Sequence, residues 1–104
     1  KNLSAGQKKK AMFALAILND PDILILDEPL NSLDLKERID LISAIKYMNR
    51  ERNKTILVSS HDLNSLYELC DYFYFIKNGR IELLLSKQDI TSDELTAEYL
   101  KIYN

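Results

Sequence analysis

The chain is expected to be an α/β protein in which a parallel sheet is flanked by helices and followed by a C-terminal β-hairpin and a terminal helix. Three observations carry this expectation. Helix-like and strand-like segments alternate along its 104 residues. Residues 23–26 and 55–58 are short, β-prone apolar runs, the pattern of strands covered on both faces in a parallel sheet. Asn78 and Gly79, between strand-like segments 72–76 and 80–85, form the two-residue signal of a tight hairpin.

The first helix is expected over residues 7–18, which are rich in helix formers, and Ser4 with Gln7 has the spacing of a capping box at its start. It stops at Asn19-Asp20-Pro21, because proline disfavours helix in the residue before it. Its middle is apolar on every side, so it should be buried. The strand over 23–26 ends in two carboxylates, Asp27 and Glu28. Leu35, Ile39, Ile42, Ile45 and Met48 recur at three- and four-residue steps, marking an amphipathic helix capped by Asp34 and Glu37. After the strand at 55–58, Asp62 caps a short helix through Leu69. Thr91 and Glu94 form the capping box of the last helix, with Leu95, Tyr99, Leu100 and Ile102 available for one face.

Composition narrows the function classes. Apolar residues at 46% and charged residues at 29% suit a globular protein and argue against disorder. The length allows one domain, burying about two-thirds of its unfolded surface. The longest apolar run, residues 11–18, is too short to cross a bilayer, and no export signal is visible. A net charge of −2 gives no reason to expect a nucleic-acid partner, and the one dense basic run, Lys8, Lys9 and Lys10, reads as a solvated face. Cys70 is alone, which excludes an internal disulfide and suggests a buried, inert thiol.

Chemistry concentrates in three places. The Ser4–Gln7 box sets a hydroxyl and backbone N–H groups at the positive end of a helix, where phosphate oxygens can bind, although a cap alone would explain the pattern. Asp27 and Glu28 lie at the carboxyl end of a parallel strand, where α/β proteins bind ligands. Neighbouring strand positions face opposite ways, so the two acids can take different roles. Asp27 could hold Mg²⁺, through a coordinated water, and Glu28 could deprotonate an attacking water, a polar strand exit being the simpler reading. His61, the single histidine, also follows a strand and could contact a transferring phosphate or be a structural histidine. No second histidine or cysteine pairs with it at metal-ligand spacing.

Taken together, these segments resemble one family. Leu3-Ser4-Ala5-Gly6-Gln7 is similar to the Leu-Ser-Gly-Gly-Gln signature of ATP-binding cassette (ABC) ATPases, with Ala5 replacing the first glycine. Residues 23–28 resemble its Walker B strand and catalytic glutamate, Asn31-Ser32-Leu33-Asp34 its D-loop, and His61 its switch histidine. Order and spacing agree over nearly the whole chain. The only glycines are Gly6 and Gly79, so the family's P-loop, Gly-x-x-x-x-Gly-Lys-Ser/Thr, is not in this sequence. Residues 1–104 are therefore expected to be the C-terminal part of a single nucleotide-binding domain with a partial P-loop NTPase fold. Alone, they are expected to bind ATP weakly or not at all and to be inactive.

The resemblance implies a parent ATPase using ATP and Mg²⁺. In that family two nucleotide-binding domains stack head to tail around two nucleotides. Glu28 and His61 would be catalytic and Asp27 would serve the metal. Ser4, Gly6 and Gln7 would cap the ATP held by the partner subunit, and Asp34 would communicate across the dimer. The family fold sets the 55–58 strand between the Walker B strand and the P-loop strand, with the 72–76 strand on the far side of the latter. The motifs look most like cassettes that energise export through a transmembrane permease, working on the cytoplasmic face of the membrane. A soluble cassette acting on ribosomes or DNA, and a non-catalytic remnant or assembly module, are the alternatives.

Overall fold

The computed structural model describes residues 4–103. Leu3, the first residue of the signature-like motif, lies outside them. The element order is α1 (Ala5–Ile17), β1 (Ile23–Asp27), α2 (Leu35–Arg50), β2 (Thr55–Ser59), α3 (Leu63–Leu69), β3 (Tyr72–Lys77), β4 (Arg80–Ser86), a 3-10 turn (Lys87–Asp89) and α4 (Ser92–Tyr103). Two compact units divide the chain between Ser60 and His61.

In the first unit, β1 and β2 pair in parallel, in register from Ile23 opposite Thr55 to Asp27 opposite Ser59. Leu24, Leu30, Leu41, Ile42, Ile45 and Met48 are buried, so α2 supplies most of the apolar cover. Its buried stripe is rotated from the expected one: Leu41 is inside, whereas Leu35 and Ile39 are exposed. At 3.6 residues per turn, Leu35 and Ile39 lie roughly 80° and 120° from Ile45, on the flanks of the covered face.

Two expectations of burial fail here. Ile25 is 75% exposed and Ile23 also faces outward, so β1 is covered on one face, not two. In α1, Met12 and Leu15 are exposed, as is Leu18 at its C-terminal cap, and Gly6 is the helix's one buried residue. The physical reason is supply: α2 covers one side of a two-stranded sheet, and on the other side Ile23, Ile25 and Leu57 are left exposed. What α1 does pack is a narrower stripe, Gly6, Lys9, Phe13 and Ile17, each buried or half-buried.

A buried lysine closes the sheet's lower end. Lys54, immediately before β2, sends its ammonium to the Asp20 carboxylate at 2.7 Å and to the Asp20 carbonyl at 3.3 Å. The hydrogen bond from Lys54, then its charge, then that of Arg52, hold the Asp20 carboxyl below its usual range. Asp20 itself adopts a left-handed φ of 51°, which short polar residues tolerate.

The second unit is a hairpin packed on two helices. β3 and β4 are antiparallel and joined by Asn78 and Gly79, with φ of 54° and 75°, the left-handed pair that a type I′ turn requires. The register shifts between Phe75 and Ile76, a β-bulge that leaves Glu82 without an opposite residue. Phe73, Phe75 and Leu95 form the core, with Leu66, Tyr67, Leu83, Leu85, Tyr99 and Ile102 against it. Tyr67 stacks on Phe73 at 6.0 Å between ring centroids. Thr91 and Glu94 make the expected capping box at 3.1 and 2.8 Å. Leu100, expected on the packed face, is exposed. Cys70 is half-buried, and desolvation, then the Asp71 charge, push its thiol up to about 11, in keeping with an inert thiol.

Candidate functional site

The site is built where β1 and β2 end together. Parallel pairing in exact step sets Asp27 beside Ser59, whose hydroxyl donates to the Asp27 carboxylate. Asp27 is exposed and Glu28 half-buried. Both are hard oxygen donors, as is the Ser59 hydroxyl, which suits Mg²⁺ in type. Among the described residues no group of three His, Cys, Asp or Glu converges as a ready-made metal centre.

Glu28 leaves the strand with a φ of 47°. A long side chain in the left-handed region is uncommon and persists only where its surroundings over-determine it. Here the backbone is held on both sides. The Glu28 N–H donates to the Ser59 carbonyl at 2.9 Å, extending the ladder by one rung. The Glu28 carbonyl accepts from the Asn31 N–H at 3.2 Å, closing a turn in which Pro29 presets φ at the second position. The same carbonyl accepts from the Lys9 ammonium at 2.6 Å.

The two helix starts of this unit meet. Ser4 accepts from the Gln7 N–H at 3.0 Å and the Gln7 side chain accepts from the Ser4 N–H at 2.9 Å, completing the expected box. Asp34 accepts from the Glu37 N–H at 2.8 Å, and Glu37 returns the bond at 3.1 Å. Gly6 is buried because the Glu37 carboxylate lies where its side chain would be. An acid at the N-terminus of α1 is favourable for that helix. Ala5 is the first helical residue, a conformation alanine adopts readily, so the departure from glycine demands no special turn.

Of the anticipated site residues, Ser4, Gly6 and Gln7 share one helix start, Asp34 caps the adjacent helix, and Asp27 and Glu28 share one strand exit. His61 is the first residue of the second unit, exposed, two positions past β2 and next to Asp62, which caps α3 through the Ser65 N–H and hydroxyl. Lys9 departs from the solvated face expected of the basic run. Lys8 and Lys10 are exposed, Lys10 pairing with Asp40 at 3.5 Å, but Lys9 is half-buried and hydrogen-bonded. Its spacing from Gly6, Phe13 and Ile17, at steps of three and four, was the available signal.

Comparison with known proteins points to one family. The ABC transporter family matches residues 1–31. The petrobactin import ATP-binding protein YclP of Bacillus subtilis is 42% identical over 76% of this chain, which spans 31% of that protein. The spermidine/putrescine import ATP-binding protein PotA of Bacteroides fragilis is 34% identical over 92% of this chain and 21% of its own length. The solved ATP-binding cassette MJ0796, a dimer in a post-hydrolysis state bound to ADP and Pi, superposes with a TM-score of 0.74 over 82% of this chain and 36% of that one, at 30% identity. The chain thus spans about a third or less of the length of these relatives. On its motifs, its fold and these likenesses, the chain belongs to the ATP-binding cassettes of ABC transporters.

Proposed function

We propose that this chain forms part of the ATP-hydrolysing subunit of a membrane transporter. The observation that carries the proposal is the Asp27–Glu28 strand exit, with Glu28 locked in a left-handed turn at the shared carboxyl end of two parallel strands. Glu28 would take a proton from the water that attacks the γ-phosphate, a role worth ~10²–10⁴ in rate. Asp27 would hold Mg²⁺, supported by Ser59, and the ion would offset charge on the phosphates. His61 would contact the γ-phosphate and help orient the water.

Ser4, Gly6 and Gln7 would meet the ATP of a second nucleotide-binding domain stacked head to tail. The exposed hydroxyl and side chain of Ser4 and Gln7 support this reading, as does the dimeric state of the related cassette. Gly6, buried beside the Glu37 carboxylate, would take part through its backbone. Asp34, committed to its cap, would reach the second domain from that position.

No helix among the described residues is long and apolar enough to cross a membrane. The passage for solute would belong to a transmembrane permease subunit or domain. The subunit would work peripherally at the cytoplasmic face. The two named relatives are import proteins, so they lend no support to the expectation of export, and the proposal extends to transport in either direction. The test is ATP turnover by the intact protein and its Glu28→Gln variant. Loss of ~10² or more in kcat with ATP binding retained supports Glu28 as the base; an unchanged kcat removes it from that role.

A further inference from the structure

We propose that Lys9 is a positioning residue for Glu28, fastening the helix that begins with Ser4–Gln7 to the turn that sets the direction of the carboxylate. This rests on the reading of Glu28 as the hydrolytic base. The geometry is specific. Lys9 is half-buried on the packed stripe of α1, and its ammonium donates to the Glu28 carbonyl at 2.6 Å, a charge-assisted bond. The competing donor to that carbonyl, the Asn31 N–H, is farther, at 3.2 Å.

The carbonyl matters because Glu28 sits at a φ of 47°, outside the range that a side chain of its size prefers. The Ser59 carbonyl holds the peptide before Glu28, and Lys9 with Asn31 holds the peptide after it. With both peptides fixed, the Cα–Cβ direction is fixed, and with it the region that the carboxylate can reach. Without Lys9 the second peptide loses its shorter, charge-assisted bond and can rotate toward a less strained conformation, carrying the carboxylate away.

Lys9 also lies on the same rigid helix as the capping box, five residues beyond Ser4, or about 7.5 Å along the axis. Any movement of that helix start is transmitted through Lys9 to the Glu28 turn. A residue within a run of three lysines thereby acts differently from its neighbours, both of which are exposed.

The experiment uses the intact protein and four variants: Lys9→Met, which keeps the aliphatic stem and removes the donor; Lys9→Arg, which keeps a charged donor; Glu28→Gln; and the Lys9→Met/Glu28→Gln pair. Misplacement of a catalytic group by about 1 Å costs ~10²-fold, so Lys9→Met is expected to lower kcat by roughly 10–100-fold while KM for ATP stays within about twofold. Lys9→Arg restores kcat to within about threefold of the parent. In the Glu28→Gln background, Lys9→Met has no further effect, since both changes act on one group. A Lys9→Met kcat equal to the parent's overturns the proposal while leaving Glu28 in place. So does a loss confined to KM, or a Lys9→Arg variant as slow as Lys9→Met. Full turnover in Glu28→Gln overturns both the base and its positioning. If Lys9→Met does not fold, Lys9→Gln, too short to reach the carbonyl, replaces it with the same expected outcomes.

Discussion

Gly6→Ala separates what Gly6 does for the fold from what it does for a nucleotide. A methyl added at Gly6 would overlap the Cδ and Oε2 of Glu37. The obstacle is the end of a flexible side chain, so it can swing away, but to do so Glu37 must release the Asp34 N–H that it accepts at 3.1 Å. Losing that one hydrogen bond costs about 0.5–1.5 kcal/mol. Replacing glycine by alanine inside a helix returns up to about 0.8–1.0 kcal/mol, less in the first turn. The net change is therefore about 0–1 kcal/mol of destabilisation. Glu37→Ala alone, losing the same bond, costs about 1 kcal/mol. The double variant loses the bond once and keeps the alanine gain, so the two changes couple by about 1 kcal/mol. Urea unfolding of the intact protein and the three variants, followed by circular dichroism, measures the cycle. Additivity within about 0.3 kcal/mol would refute the idea that Glu37 is the obstacle, and a Gly6→Ala loss above about 3 kcal/mol would show a clash that no side-chain swing relieves. ATP turnover falling in Gly6→Ala, with stability nearly unchanged, is the result expected if the Gly6 backbone also meets a phosphate.

Further outcomes follow from the same structure. Leu95→Ala, at the centre of the second unit's core and 1% exposed, is expected to destabilise by about 2–5 kcal/mol, read from the urea midpoint. Cys70, with its thiol raised from 9.0 to about 11, should react with iodoacetamide at pH 8 roughly 100-fold more slowly in the native protein than in urea. Asp20 is held low by Lys54, and Asp40 by the hydrogen bond and charge of Lys36 and, more weakly, by Lys10. A carboxyl lowered in the folded state adds stability above its unfolded pKa and loses it as pH falls through the folded one, so the melting temperature should drop on acidification below about pH 4. Lys54→Met should flatten that acid slope, and an unchanged slope would remove the Asp20 pair as a contributor.

What was legible in the sequence is what depends on neighbours three or four positions apart. The three capping boxes, Ser4 with Gln7, Asp34 with Glu37 and Thr91 with Glu94, all form as read, because each is a local exchange of two hydrogen bonds. The Asn78–Gly79 turn was visible for the same reason, and the ends of β1 and β2 were placed one residue short of where they fall. Which apolar face becomes covered is a tertiary outcome. Residues 23–26 look alike on both sides, and only the single layer supplied by α2 decides that Leu24 goes in while Ile23 and Ile25 stay out. The left-handed Glu28 was also hidden, because nothing in Asp-Glu-Pro announces that Ser59 and Lys9, 31 positions ahead and 19 behind, will hold it. Distance along the chain, not subtlety of chemistry, separates the two groups.

The strict pairing of β1 with β2 has a consequence for length changes. Deletion of Thr55, the first residue of β2, with Lys54 held in place would bring Ser60 level with Asp27, so a hydroxyl would still stand opposite the carboxylate. Every other side chain of β2 would change faces: half-buried Ile56 and Val58 would turn out and exposed Leu57 would turn in. A deletion in residues 51–53, in the connection that precedes Lys54, leaves that alternation intact. The site should therefore tolerate a shortened approach to the strand far better than a shortened strand, even though two consecutive serines would hide the difference from anyone comparing the ends alone.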